Sequence, residues 1–187
     1  VVWCNKGQVL ADLGRMKEAI AAYDQALALN LRDVMAWSGK GLCLIKLGHQ
    51  KDALSCFDQA LVLDPRYEGA WNNKGVALAA LGRLEEAIDC YDHGLVLNPQ
   101  NPLAWNNKAN NLRALGRPEA AITCYDKAVA LDPQYAHAWF NKAQCEDGVG
   151  RTWNAARSYE RFLAVASPQN VPQIEYARLR LRDLNSQ

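Results

Sequence analysis

The sequence predicts an all-α protein, a solenoid of five tandem helix-turn-helix units finished by a C-terminal capping helix. The first observation behind this is a period. Trp3, Trp37, Trp71, Trp105 and Trp139 stand 34 residues apart and account for five of the six tryptophans. The second is that the surroundings recur with them. Glycine follows eleven residues on (Gly14, Gly48, Gly82, Gly116, Gly150), alanine sixteen on (Ala19, Ala53, Ala87, Ala121, Ala155), and an aromatic twenty on (Tyr23, Phe57, Tyr91, Tyr125, Tyr159). The third is that each period carries two stripes of helical spacing and no alternating strand pattern. A period of this length marks stacked supersecondary units, because one such unit cannot bury its apolar face alone.

The units run 1–33, 34–67, 68–101, 102–135 and 136–168. The third shows the logic of each. Trp71, Gly75, Leu78 and Leu81 share a helix face, and Gly82 follows as a residue able to take the left-handed conformation that ends a helix. A second stripe runs Ala87, Ile88, Tyr91, Leu95 and stops at Asn98-Pro99, since proline cannot continue the ladder and disfavours helix in the residue before it. Asp64-Pro65 and Asp132-Pro133 repeat the stop. Small residues (Gly7, Gly41, Gly75, Ala109, Ala143) stand where the two helices of a unit cross closely. After Pro172 the period ends. Residues 173–185 read as one further helix in the 169–187 segment, with Ile174, Ala177, Leu181 and Leu184 on one face and Arg178, Arg182 and Asp183 away from it. That half-polar pattern suits a cap on the last apolar face. No comparable cap precedes Trp3 and the chain opens on Val1, so it reads as a fragment whose uncapped N-terminal end supports at most weak homo-oligomers.

Tryptophan, then a small residue four on, leucine seven on, alanine, aromatic, alanine and a boundary proline together resemble the tetratricopeptide repeat, over residues 1 to about 168. Departures are few. Lysine (Lys6, Lys40, Lys74, Lys108, Lys142) holds a position usually given to leucine, Leu31 replaces the first boundary proline, and Gly94 replaces an alanine. The last unit departs most, with Glu146 for leucine, Phe162 for alanine and its proline late, at Pro168. The resemblance implies a right-handed superhelix whose first helices line a concave, peptide-binding groove.

Composition narrows the function classes. Half of the residues are hydrophobic and 22% charged, the balance of a folded chain. Lysine plus arginine (21) nearly equals aspartate plus glutamate (20), leaving no electrostatic footprint for nucleic acid or an anionic membrane. No apolar run approaches the roughly 20 residues of a membrane span. Cys56, Cys90 and Cys124 repeat at 34 residues, so units stacked about 10 Å apart hold them beyond disulfide reach. Free thiols on helices fit a reducing compartment, and the expected location is cytoplasmic.

Carrying the groove over from the resemblance places Asn5, Gly39, Asn73, Asn107 and Asn141, each two residues after a tryptophan, on the concave face. An amide offers donors and an acceptor together, so a column of them can pair with a peptide backbone. The column is similar to the asparagine ladder in the repeat domain of O-GlcNAc transferase; bonding between neighbouring helices is the competing role. Asn72, Asn106 and Phe140 adjoin it, Asn110 and Arg113 add polarity in unit four, and Met35, Leu42 and Ile45 make unit two apolar. A ligand held by its backbone over units three to five and anchored by an apolar side chain at unit two is expected. The lysine that clamps a chaperone's terminal carboxylate in related repeats is missing, since Cys4, Ser38, Asn72, Asn106 and Phe140 stand there.

Nothing converges for catalysis. His49, His93 and His137 fall at different repeat positions, and Cys90 with His93 is too small a set for a metal. No cofactor and no enzyme activity are expected. The lysine column and the acids after each aromatic (Asp24, Asp58, Asp92, Asp126, Glu160) suggest ion pairs between packed helices, a cationic groove being the alternative. Trp153, off the repeat pattern, is expected to pack under the terminal helix, an exposed adhesive site being its alternative. The leading function is a protein-interaction scaffold for an extended peptide or partner helix. Two others are a substrate-selecting or regulatory domain of a multidomain enzyme, and an architectural element.

Overall fold

The computed structural model describes residues 2–185, and the described residues form eleven α-helices and no strand. The hairpins are α1 (Val2–Asp12) with α2 (Met16–Leu29), α3 (Val34–Lys46) with α4 (Gln50–Leu63), α5 (Glu68–Ala80) with α6 (Leu84–Leu97), α7 (Pro102–Ala114) with α8 (Pro118–Leu131), and α9 (Ala136–Gly148) with α10 (Thr152–Val165). A final helix, α11, spans Val171–Asn185. The chain falls into two compact units, Val1–Pro99 and Gln100–Gln187.

The predicted hairpin turn is realised in all five repeats. Gly14, Gly48, Gly82, Gly116 and Gly150 have φ between +71° and +82°, the left-handed region closed to most side chains. Each turn closes with the paired bonds of a Schellman motif. In the second repeat the Gly48 amide donates to Ile45 (3.0 Å) and the His49 amide to Leu44 (2.9 Å). Turns between repeats are held differently. Asn30, Asp64 and Asp132 accept the amide two residues on, while Asp33 and Asn101 cap the next helix. The repeat tryptophan then pins that turn: Trp37, Trp71 and Trp139 donate their indole N–H to the carbonyls of Leu31, Pro65 and Pro133 at 2.9–3.0 Å. Leu31 thus serves where proline does elsewhere, because its carbonyl is what the tryptophan needs.

In the first unit, α2 packs on α3 and α4 on α5, which sets α1, α3 and α5 side by side. The core is built by a small residue facing an aromatic. Tyr23, Phe57 and Tyr91 are at most 1% exposed, and their rings rest on Gly7, Gly41 and Gly75, where an added Cβ would approach ring carbons to 2.7 Å. Burial of each such ring contributes about 1.5–3 kcal/mol.

In the second unit, α8 packs on α9, α7 on α9, and α11 closes over α10. Ile174, Ala177, Leu181 and Leu184 meet Tyr159 and Phe162, as the predicted cap requires. Phe162, at the position of Ala26, Ala60, Gly94 and Ala128, is 1% exposed, with its ring 5.0 Å from that of Phe140. The helix starts at Val171, two residues before the expected 173, because Pro172 in a first turn forfeits no helical hydrogen bond. Arg180 forks onto Asp147 at 2.7 and 2.9 Å, tying α11 to α9, and this pairing raises the guanidinium pKa.

Trp153 corrects the sequence expectation. It does not lie under α11 but is 66% exposed. α11 covers the stripe of Ala155, Tyr159 and Phe162, and Trp153 precedes Ala155 by two residues, roughly 200° around the helix.

Candidate functional site

Because α1, α3 and α5 lie together, residues 34 and 68 apart in sequence meet. Asn5, Met35, Leu42 and Asn73 line one cavity of about 170 Å³ with Gln8, Tyr67 and Gly39. Met35 is 65% exposed and Leu42 37%, which gives the cavity an apolar flank. Neither Asn5 nor Asn73 makes a side-chain hydrogen bond among the described residues, so both amides face solvent with their bonding capacity unspent. The sequence pattern singles out neither Tyr67 nor Gln8. Tyr67 lies at a repeat boundary, where the turn pattern masks it, and the Gln8 position varies through Leu42, Val76, Asn110 and Gln144.

Gly39 interrupts the asparagine column for a steric reason. The Tyr23 ring leans across it, and a Cβ there would come within 2.6 Å of the phenolic oxygen. Ile45 faces the other way and packs in the core around Phe57. Asn72 points at α6: its amide donates to Glu68 (2.5 Å), and its carbonyl oxygen occupies the space an alanine at Gly94 would need. That explains Gly94.

The second unit uses its asparagines differently. The Asn141 amide donates to Asn106 (3.3 Å) and Asn110 (3.2 Å), Asn106 donates to Asn107 (3.3 Å), and the Tyr125 hydroxyl donates to Asn110 (2.6 Å). Arg113 reaches Gln144 at 3.1 Å. This net joins α7 to α9. Asn106 is only 4% exposed, and Phe140 sits inside an aromatic cluster with Tyr159, Phe162 and Tyr176. Asn107 and Arg113 remain at the surface.

The lysine column forms ion pairs between successive repeats. Lys40 meets Asp24 at 2.6 Å, Lys74 meets Asp58 at 2.7 Å, and Lys142 meets Asp126 at 2.6 Å. Each lysine also rides over its own tryptophan, three residues back, at 4.8–5.9 Å from Lys6 to Lys142. A spacing of three puts both on one helix face, and a cation on an indole contributes about 0.5–1 kcal/mol. That second role explains why lysine displaces the usual leucine. All six cysteines are buried and unpaired, and burial pushes the Cys56 and Cys90 thiols up to about 11. His93 stacks on Trp71 with ring centroids 4.5 Å apart. Among the described residues no cluster of His, Cys, Asp and Glu could hold a metal, and no helix is long and apolar enough to cross a membrane.

Models of the tetratricopeptide repeat match residues 1–32, 34–67, 69–101 and 102–135. The chain belongs to the tetratricopeptide-repeat family. None of the curated protein sequences is significantly similar to it. Solved tetratricopeptide-like folds superpose well. They include PilF of Pseudomonas aeruginosa (TM-score 0.84, 16% identity, 98% of this chain and 87% of that one). A thermophilic tetratricopeptide protein of Thermus thermophilus, TTC0263, gives 0.76 at 23% identity, covering 96% and 97%. YrrB, described as a tetratricopeptide protein with an unusual peptide-binding site, gives 0.74 at 19% identity, covering 95% and 91%. These likenesses establish the fold. Tetratricopeptide repeats are in general protein-interaction scaffolds rather than catalysts.

Proposed function

We propose that this chain is an interaction scaffold that takes an extended segment of a partner protein on the face made by α1, α3 and α5. The observation that carries the reading is the convergence of Asn5, Met35, Leu42 and Asn73 on one cavity, two free amides beside two exposed apolar side chains. The amides suit a peptide backbone and the cavity suits one aliphatic side chain, the kind of buried anchor that supplies much of a peptide's affinity. Asn107 and Arg113 give the second unit a smaller polar surface of its own. The six reduced cysteines favour a cytoplasmic site of action. A peptide array on the folded protein should select an aliphatic residue at one position, and Asn73→Ala with Leu42→Ala should weaken the selected peptides at least about tenfold. Unchanged affinity in that variant, or an array with no side-chain preference, would remove the proposal.

A further inference from the structure

The cleft between α9 and α10 differs in kind from its counterparts in the first unit. In the first repeat the equivalent hollow is lined by Trp3, Lys6, Leu10 and Glu18, and in the second by Trp37, Lys40, Leu44 and Asp52, one lysine facing one carboxylate each time. In the fifth repeat the cleft is about 510 Å³ and carries Trp139, Lys142, Glu146, Trp153, Arg157 and Arg161. This volume lies within the range of ligand clefts, about 300–1,000 Å³. Three cations now stand against one carboxylate, and the acid of the first three repeats (Glu18, Asp52, Glu86) has become Asn154.

The charges are arranged in depth. Glu146 lies at the floor, 1% exposed, where it accepts from the Ser158 hydroxyl at 2.6 Å and sits 3.6 Å from Lys142. Lys142 is shared with Asp126, so the floor is neutralised internally. At the rim, Arg157 stacks over Trp153 at 4.8 Å and Arg161 over Trp139 at 5.7 Å. Neither arginine forms an ion pair among the described residues, and both are exposed. A guanidinium resting over an indole loses side-chain freedom before any ligand arrives, while its N–H donors stay available to a carboxylate.

We propose that this cleft is a second binding site, specific for an acidic segment of a partner polypeptide, with carboxylates on Arg157 and Arg161 and an apolar side chain against the exposed Trp153. Charge complementarity selects the occupant, because Arg157 and Arg161 are exposed cations and the one carboxylate that lines the cleft among the described residues is buried and satisfied. The site is separate from the face of α1, α3 and α5 and does not depend on it.

The test is fluorescence anisotropy of a labelled synthetic peptide of glutamates interspersed with leucine, with a lysine-for-glutamate analogue as control. The acidic peptide should bind saturably and weaken with added salt. Arg157→Ser with Arg161→Gln installs residue types that the second repeat carries at these positions, so the hairpin stays intact. Loss of two charge-assisted contacts, each worth roughly tenfold, should bring binding below detection. Trp153→Ala should weaken it less, and Asn73→Ala should leave it unchanged. The proposal fails if the acidic peptide does not saturate, if the double variant binds it equally, or if the lysine analogue competes. It also fails if the protein sediments with phosphatidylserine vesicles through these arginines while ignoring the peptide.

Discussion

By repeat logic alone, Gly39→Asn should complete the asparagine column and improve the groove. The structure predicts a loss of stability instead. An added Cβ would stand 2.6 Å from the Tyr23 oxygen and 2.8 Å from a ring carbon, where ordinary contact starts near 3.4 Å. The ring has little room to retreat, since it also packs on Gly7, where an added Cβ would come within 2.7–2.9 Å of ring carbons, and Tyr23 is 1% exposed. Overpacking of this kind costs about 1–3 kcal/mol. Replacing glycine in a helix returns up to about 1 kcal/mol for alanine and less for asparagine. The expected net loss is therefore up to roughly 2 kcal/mol for Gly39→Ala and more for Gly39→Asn. Urea unfolding followed by circular dichroism at several protein concentrations reads it as a lower midpoint at unchanged slope. Tyr23→Leu shortens the ring, so the cost of Gly39→Ala should shrink in that background. A Gly39→Asn protein as stable as the parent, or a cost indifferent to Tyr23, would refute the steric account.

Three further outcomes are expected. The Asn111 side-chain amide is buried without a hydrogen-bond partner, so Asn111→Ala, matching Ala77 one repeat earlier, should stabilise the fold by about 1 kcal/mol, read as a higher urea midpoint. Two glycines with open space around them should respond with opposite signs: Gly116→Ala, at φ +71°, loses about 1–2 kcal/mol, whereas Gly148→Ala, within α9, gains up to about 1 kcal/mol. Thermal melts of the pair would show it. The Cys56 and Cys90 thiols ionise near 11 when folded against a reference value of 9.0, so their contribution is complete below pH 9 and is lost as pH rises toward 11. Unfolding across that window should show a falling stability of about 1.4 kcal/mol per pH unit per thiol, and Cys56→Ala should remove one thiol's share of the slope.

What the sequence determined by itself is what short-range chemistry controls. The period, the two helices per repeat, the left-handed glycines and the stops at Asn98-Pro99 and its counterparts follow from backbone preferences that a few neighbouring residues settle. The lysine–acid pairs between repeats were also legible, because both columns recur at the same spacing. Packing decided the rest. The same asparagine column is free around the cavity at Asn5 and Asn73 but knitted together at Asn106, Asn110 and Asn141, since bonding depends on which partners the next helix presents. Trp153 lies exposed because α11 covers the opposite side of α10, and Gly39 is glycine because a tyrosine from the preceding hairpin needs its space. A residue's own neighbours fix its conformation, whereas its exposure and its partners are set by chain segments tens of residues away.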